Sequence, residues 1–343
     1  MSIRKVLGGV AMAALLATGL AGTSAGAQET KLRIQTHYAP ESVSGKLAQE
    51  YVDNVQTMSN GQIQVEMFFS SSVVKSVETF DAAATGILDC DMTGGAYQTG
   101  KNPAFQFVGD IMGGYDTPYQ QLSWLYYGGG IDAAAKLYNK FGMELIGWWV
   151  YGQESFASTK PIAKVDDFKD WKFRSPPGLE TKIFEKLGAK PIVMDFTEVF
   201  TALESGIIDG SDISAIANNK SMGVYDLPKV KFANYPGFHS MPSDHLACNK
   251  AKFDAMPAHH QRIMKVAMES LALRTALTFE KANAEAAAAL REQGVTLSEW
   301  SAEEKAKFRE AALSAWGDFA TTDEAKALVE SHTAYLKQLG LVK

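Results

Sequence analysis

The sequence predicts an α/β protein of two similar lobes, with one long helix near the C-terminus. Strand-like and helix-like segments alternate along most of the chain. A helix-glycine-strand pattern at Glu78–Asp89 recurs at Glu198–Asp209, with Glu, Phe, Ala, Gly, Ile and Asp at equal spacing. This repeat predicts two related lobes, with chance similarity of two amphipathic helices as the alternative.

From Pro257 to Gln293 the helical pattern has no internal Gly or Pro. Such a helix, roughly 54 Å long, would span both lobes or reach a partner.

Residues 1–27 are typical of a secretory signal. Arg4-Lys5 forms a short basic region, Val6–Leu20 is apolar, and Ala25-Gly26-Ala27 is a small-residue cleavage site. The alternative, a membrane anchor, is disfavoured because the apolar run is shorter than the ~20 residues that a span needs. We therefore expect an exported protein whose mature chain begins at Gln28.

The charge and the cysteines limit the function. The net charge is -6, or -8 once Arg4 and Lys5 are removed. Nucleic acid is therefore not an expected partner, and an anionic ligand would need a local cation. The two cysteines, Cys90 and Cys248, lie in short strand-like runs. We expect buried free thiols, although a disulfide stays open in an oxidising compartment.

The first half of the chain begins as β-α-β. Its helix at Ser44–Met58 is amphipathic and ends at Asn60-Gly61, and the apolar run Met143–Val150 indicates a buried strand. Gly128-Gly129-Gly130 lies between two helices and lacks a following Lys-Ser/Thr, so it is a turn and not a phosphate loop. The remaining elements are strands at Lys31–Thr36 and Gln62–Phe68 and helices at Thr117–Tyr127 and Ile131–Phe141.

The second half holds the segment with the strongest functional signal. Trp171–Arg174 reads as a strand that stops at Pro176-Pro177, and Ile207-Ile208 reads as a strand that leads into Asp209–Asp212. Ligands of open α/β sheets bind at the carboxyl ends of strands, which would place Arg174 and these aspartates at a site. The other elements are a helix at Gly178–Leu187, a strand at Lys190–Val193, a helix at Thr197–Ser205, and C-terminal helices that begin with a capping box at Ser301 and Glu304.

These elements define the expected domain organisation. Lobe I is expected at residues 28–150 and lobe II at 151–240, with crossover segments at about 150–160 and 231–248. Residues 241–343 would supply a return strand to lobe I, the long spanning helix and the C-terminal helices.

Several motifs in order resemble the periplasmic solute-binding subunits of tripartite ATP-independent (TRAP) transporters. A match of several motifs over about forty residues is more specific than one short pattern. The 2-oxo acid and monocarboxylate branch is the most similar. The motifs are Phe173-Arg174, Leu187-Gly188-Ala189-Lys190-Pro191, the run Glu198–Gly206, Ile208-Asp209, and, outside this segment, Lys101–Phe105 and Trp124–Gly130.

The resemblance implies a fold and a function. The fold would be the two-lobed periplasmic binding protein fold, with hinge strands and a long C-terminal helix spanning the lobes. The protein would be a periplasmic receptor that closes over a small organic carboxylate, such as pyruvate, 2-oxobutyrate or lactate. It would deliver this ligand to the small and large permease subunits. The alternatives are a receptor for a sugar acid, dicarboxylate or sulfonate, and a ligand-sensing subunit for a signalling protein.

The resemblance also implies site residues. Arg174 would grip the carboxylate, because a guanidinium offers two parallel donors. Asp212, the carbonyl of Ile213 and Gln153 would hold a cation, and oxygen ligands suit Na⁺ or Ca²⁺. Ser240 stands near a position where relatives carry an acidic residue, which is a departure from the pattern. The other candidate ligand-binding residues are Tyr97, Gln98, Trp149, Phe238 and His239, while one of Trp148 and Trp149 is expected in the core.

No enzyme motif is present. The chain lacks H-E-x-x-H and G-x-S-x-G, and His259-His260 are adjacent on a helix, so their side chains diverge. We therefore expect no catalysis. A homodimer through the helix Pro257–Gln293 is a further expectation, since relatives of the 2-oxo acid branch pair in this way.

Overall fold

The computed structural model describes residues 29–343, and the predicted signal lies outside this range. Most of its strands are short, as is usual in α/β proteins. They are β1 (Thr30–Thr36), β2 (Ile63–Phe68), β3 (Cys90–Met92), β4 (Met143–Val150), β5 (Ser155–Ser158), β6 (Lys172–Ser175), β7 (Lys190–Val193), β8 (Gly210–Ser214), β9 (Phe232–Asn234), β10 (Ser243–Asn249) and β11 (Thr296–Ser298).

The helices of the described range differ widely in length. They are α1 (Val43–Met58), α2 (Thr79–Ala84), α3 (Gln106–Gly109), α4 (Pro118–Tyr127), α5 (Gly130–Asn139), α6 (Leu179–Lys186), α7 (Val199–Ser205), α8 (Ile216–Ser221), α9 (Lys250–Asp254), α10 (Ala258–Glu292), α11 (Ala302–Phe319) and α12 (Asp323–Gln338). None of these helices is both long enough and apolar enough to cross a membrane.

The strands form two separate sheets, one in each lobe. The lobe I sheet has the order β2-β1-β3-β10-β4, and the lobe II sheet has the order β11-β9-β5-β8-β6-β7. The chain passes from lobe I to lobe II between β4 and β5, and it returns between β9 and β10. Two connections of this kind form a hinge, and they place the carboxyl ends of β1, β3, β6 and β8 around the cleft between the lobes.

The sequence repeat corresponds to equivalent elements of the two lobes. Each copy is a short helix, a left-handed glycine and a strand: Gly86 has φ 84° and Gly206 has φ 78°. The same backbone hydrogen bond closes both turns, from Leu88 N to Ala82 O at 3.0 Å and from Ile208 N to Ala202 O at 3.3 Å. A positive φ favours glycine at both positions.

Helix α10 spans both lobes, as predicted. Near its start His260 contacts Thr30 of β1 in lobe I, with 2.9 Å between ring Nδ1 and Oγ1. Near its end Asn283 accepts a hydrogen bond from the backbone of Ala217 in lobe II, at 3.1 Å. After α10 the chain adds β11 to the lobe II sheet, so the helix is a third connection between the lobes.

The expectation of free thiols is wrong, because Cys90 and Cys248 form a disulfide. The two residues are direct cross-strand partners in the antiparallel pair of β3 and β10. Residues 91–247 separate them in the chain. The sequence showed two buried strand-like runs but not that they are neighbours in one sheet.

Two local predictions also need correction. Ile207-Ile208 is not a strand: the strand is β8, so Asp212 lies inside a strand and not after one. The capping box at Ser301 is only half formed. Ser301 accepts a hydrogen bond from Glu304 N at 3.2 Å, but the Glu304 carboxylate accepts one from the backbone of Val165 at 2.6 Å. Helix α11 is thereby joined to lobe II.

Candidate functional site

A small enclosed cavity lies between the lobes. Its free volume is about 40 Å³. Lobe I, lobe II and the hinge segments all contribute to its wall, which is polar on several sides. The polar side chains that line it are His37, Tyr97, Asp110, Tyr151, Glu154, Arg174 and Asp244.

Arg174 is the one arginine on the wall of this cavity. It lies near the end of β6 and is only 3% exposed. Its Nη1 donates to the carbonyl of Asp212 at 2.6 Å, and its Nε donates to the carbonyl of Met194 at 3.2 Å. Both partners are neutral backbone oxygens, and among residues 29–343 no carboxylate forms a direct ion pair with the guanidinium, although the charges of Asp195 and Glu180 act on it at longer range. Such a group is suited to bind a carboxylate.

Three carboxylates and one serine form a buried group beside Arg174. The Ser240 hydroxyl lies 2.8 Å from Asp110 Oδ2 and 2.8 Å from Glu154 Oε2. Burial raises the pKa of Asp110 to about 7. Burial, together with the negative charge of Asp212, also raises the pKa of Glu154 well above its usual value. A hydroxyl has one proton to donate, so a proton on one of the two carboxyl groups completes the pair of hydrogen bonds.

Asp212 stays ionised within this group. Burial opposes its charge, but the positive charge of the adjacent His239 keeps its pKa below the usual value. His239 Nε2 lies 3.1 Å from Asp212 Oδ1, and its ring stacks on Phe156 at 3.7 Å. The negative charge of this buried group of carboxylates therefore lies mainly on Asp212.

The residues around Asp212 fit a cation. One ligand atom each from Glu154, Asp212 and His239 lie within 4.8 Å of one another, and all three residues are buried. Among residues 29–343 neither carboxylate oxygen of Asp212 accepts a hydrogen bond of good geometry, although His239 Nε2 lies near Oδ1. A buried carboxylate without hydrogen bonds is rare in proteins, and a cation would satisfy it.

Two of the predicted residues, Gln153 and Phe238, line a second cavity of about 560 Å³ at the hinge. There the amide of Gln153 donates to the carbonyl of Tyr115 at 3.0 Å. The side chain that reaches Asp212 is that of the next residue, Glu154, which Tyr151 orients by a 2.8 Å hydrogen bond.

The other predicted residues divide between cavity and core. Tyr97 and Ile213 line the interlobe cavity, while His239 lies behind its wall beside Asp212. Gln98 is 2% exposed and is absent from that wall. Trp148 and Trp149 are both fully buried and belong to different core clusters, so both are packing residues and not one of them alone.

Sequence reasoning missed four polar residues of the cavity wall: His37, Asp110, Glu154 and Asp244. His37 directly follows β1, and the rule that located Arg174 at a strand end would have selected it too. Asp110 follows the short helix α3, and nothing local distinguishes it from a surface aspartate.

Two lobes around a cleft, a buried arginine and a group of buried carboxylates are the features of a solute receptor. The chain belongs to the DctP family, bacterial extracellular solute-binding protein family 7, which matches residues 34–323. Proteins of this family are receptors and not enzymes, and this chain is a periplasmic solute receptor of the TRAP type.

Relatives with curated functions match almost the full chain. The monocarboxylate 2-oxoacid-binding periplasmic protein of Nostoc sp. is 27% identical over 335 residues, covering 94% of this chain and 88% of the relative. The C4-dicarboxylate-binding periplasmic protein DctP of Rhodobacter capsulatus is 26% identical, covering 90% and 92%.

Solved structures share the fold. A TRAP periplasmic solute-binding protein from Rhodobacter sphaeroides, in an apo open structure, is 32% identical with a TM-score of 0.71, covering 91% of this chain and 99% of that one. A protein from Colwellia psychrerythraea with bound calcium and pyruvate is 22% identical with a TM-score of 0.80, covering 91% and 96%. One from Pseudoalteromonas atlantica with bound sodium and pyruvate is 24% identical with a TM-score of 0.79, covering 91% and 95%.

Proposed function

We propose that this receptor binds a small monocarboxylate, a 2-oxo acid such as pyruvate or 2-oxobutyrate, or lactate. The observation that carries the proposal is Arg174, a buried guanidinium on the cavity wall whose two hydrogen bonds go to neutral carbonyls. Arg174 grips the ligand carboxylate. The leader at residues 1–27 exports the chain to the periplasm, and the loaded receptor delivers its ligand to the small and large permease subunits.

The size of the cavity supports a small acid. The cavity is small, about 40 Å³, and both lobes contribute to its wall. A three-carbon acid, with a carboxylate, a C2 substituent and a methyl group, is the smallest of the candidate ligands. A sugar acid would need a wider opening of the lobes. The function of the Nostoc relative and the pyruvate in two structural neighbours agree with this choice.

We further propose that the site holds Na⁺ or Ca²⁺. Asp212 and the carbonyl of Ile213 bind the cation, and Glu154 is a further ligand beside Asp212. Gln153 contributes its amide oxygen Oε1, which is buried and has no hydrogen-bond partner among residues 29–343, while its Nε2 donates to the carbonyl of Tyr115. A cation offsets the charge of the buried carboxylates, and this lets an acidic cleft bind an anion.

Calorimetry tests ligand and cation together. Pyruvate is titrated into protein stripped with chelator in choline buffer, and again after addition of Na⁺ or Ca²⁺. We expect the cation to raise pyruvate affinity about 5- to 150-fold, the usual range of coupling between sites. Asp212→Asn should lose this gain. Equal pyruvate affinity in all conditions would reject the cation, and tighter binding of succinate than of pyruvate would favour a dicarboxylate receptor.

We also propose that two copies pair through α10. The outer face of this helix carries Val266, Leu273 and Leu277, which are 37%, 55% and 55% exposed. Arg274, Lys281 and Glu285 border the groove beside them, so both charge signs are available for a symmetric contact.

A further inference from the structure

We infer that His37 hydrogen-bonds the oxygen at C2 of the ligand. Through this contact the receptor would select 2-oxo or 2-hydroxy acids over unsubstituted acids of the same length. The inference rests on the proposed function, because it assumes that Arg174 holds the carboxylate of the same ligand.

The imidazole of His37 has unused hydrogen-bonding capacity that the cavity can satisfy. His37 lines the cavity and is 4% exposed. Within the described part of the chain, neither Nδ1 nor Nε2 has a hydrogen-bond partner. The nearest carboxylate oxygen, Asp244 Oδ2, lies 3.6 Å from Nε2, and it already accepts a hydrogen bond from the Tyr38 hydroxyl at 2.9 Å. Buried polar groups of this kind are usually paired, so a polar atom of the ligand is the missing partner.

His37 is neutral at physiological pH. Burial, and then the positive charge of Arg174, lower the pKa of His37 to about 3. A neutral imidazole has one N–H and one lone pair. It can donate to the oxo oxygen of a 2-oxo acid or accept from the hydroxyl of a 2-hydroxy acid. An unsubstituted acid offers neither group, so it would leave the imidazole unpaired.

One aromatic ring brings His37 close to Arg174. The His37 ring stacks on Phe196 with 5.0 Å between centroids and 14° between planes, and the Arg174 guanidinium lies 6.0 Å from the same centroid. The carboxylate carbon and C2 are bonded to each other, so their two recognition groups must be close neighbours. His37 belongs to lobe I and Phe196 to lobe II, and the stack therefore forms only when the lobes are closed.

Calorimetry with three acids tests this inference. Pyruvate, lactate and propionate share a three-carbon chain and a carboxylate, and they differ at C2. The buffer contains both Na⁺ and Ca²⁺. The wild type should bind pyruvate, lactate or both at least about tenfold more tightly than propionate, because one hydrogen bond contributes about this factor to the affinity. His37→Phe should bind all three within about threefold of one another. His37→Gln, which keeps a donor and an acceptor, should retain part of the preference.

The controls separate the outcomes. His259→Phe changes an exposed histidine at the start of α10 and should preserve the wild-type preference. Thermal unfolding checks that each variant is folded, and His37→Leu, which also lacks a donor and an acceptor, replaces the Phe variant if that one is not. An unchanged preference in His37→Phe would overturn the role of His37 and leave the monocarboxylate receptor intact. Equal binding of all three acids by the wild type would do the same. Failure of the wild type to bind any of them would reject the proposed function, and the inference with it.

Discussion

Arg174 shows how far a single residue can be interpreted. Its strand end and its motif selected it from the sequence, and the structure places it on the wall of the cavity with neutral partners. The sequence was less specific about the side chains that lie near Asp212. Gln153 and Glu154 are adjacent and both polar, and which of them faces Asp212 depends on how the hinge segment turns. That turn is fixed by tertiary contacts, such as the hydrogen bond from Tyr151, which local sequence does not encode.

Replacement of Arg174 should remove carboxylate binding without unfolding the protein. For Arg174→Ala we expect a loss of roughly 3 kcal/mol in binding free energy, about 100-fold in affinity, because a charged hydrogen-bonded partner is lost. Arg174→Lys should also bind poorly, since an ammonium lacks the bidentate geometry. Calorimetry with pyruvate measures both, and Arg262→Lys on the exposed face of α10 is the control. Wild-type affinity in Arg174→Lys would remove Arg174 from the site.

At the scale of elements, the sequence predicts the limits of helices more accurately than it predicts which strands pair. The limits of α10 agree with the prediction to within a residue, because a long run without Gly or Pro and a terminal Gly294 are local signals. The pairing of β10 between β3 and β4 joins segments far apart in the chain, so no local pattern could indicate it. For the same reason the disulfide was missed.

The exposed face of α10 should mediate dimerisation. Multi-angle light scattering at micromolar concentration should give the mass of a dimer for the wild type. A double variant, Leu273→Asp with Leu277→Asp, should give a monomer, because four like charges would meet across a symmetric interface. Ile207→Asp, at an exposed position of lobe II, is the matched control and should remain dimeric. A monomer mass for the wild type would reject the dimer.

At the scale of the whole molecule, the two lobes contact each other directly at several points across the cleft, among them the hydrogen bonds between Ser44 and Asn218 and the stack of His37 on Phe196. Lys75 pairs with Glu198 at 3.1 Å, and Gln106 accepts a hydrogen bond from the backbone of Leu179 at 2.9 Å. The ion pair is solvent-exposed on both sides and contributes little. A ligand that binds to both lobes would add to these contacts and so favour the closed form.

Ligand binding should therefore make the molecule more compact. Small-angle scattering should show a smaller radius of gyration in the presence of pyruvate and cation than in their absence, because the ligand stabilises the closed form. Arg174→Ala should keep the larger radius under both conditions. An identical radius for the free and saturated wild type would contradict closure by hinge motion.

The position of β10 in the chain also determines when lobe I can finish folding during synthesis. Of the strands in residues 29–343, β10 alone pairs with β4, and it lies between β4 and β3. All of lobe II up to β9 is synthesised between β4 and β10. A nascent chain that ends before Ser243 therefore carries an unpaired apolar strand and an open sheet edge, both prone to aggregation. Lobe I, although it begins at the N-terminus, is finished only after most of lobe II has emerged, so a chain that stalls in this interval depends on chaperones.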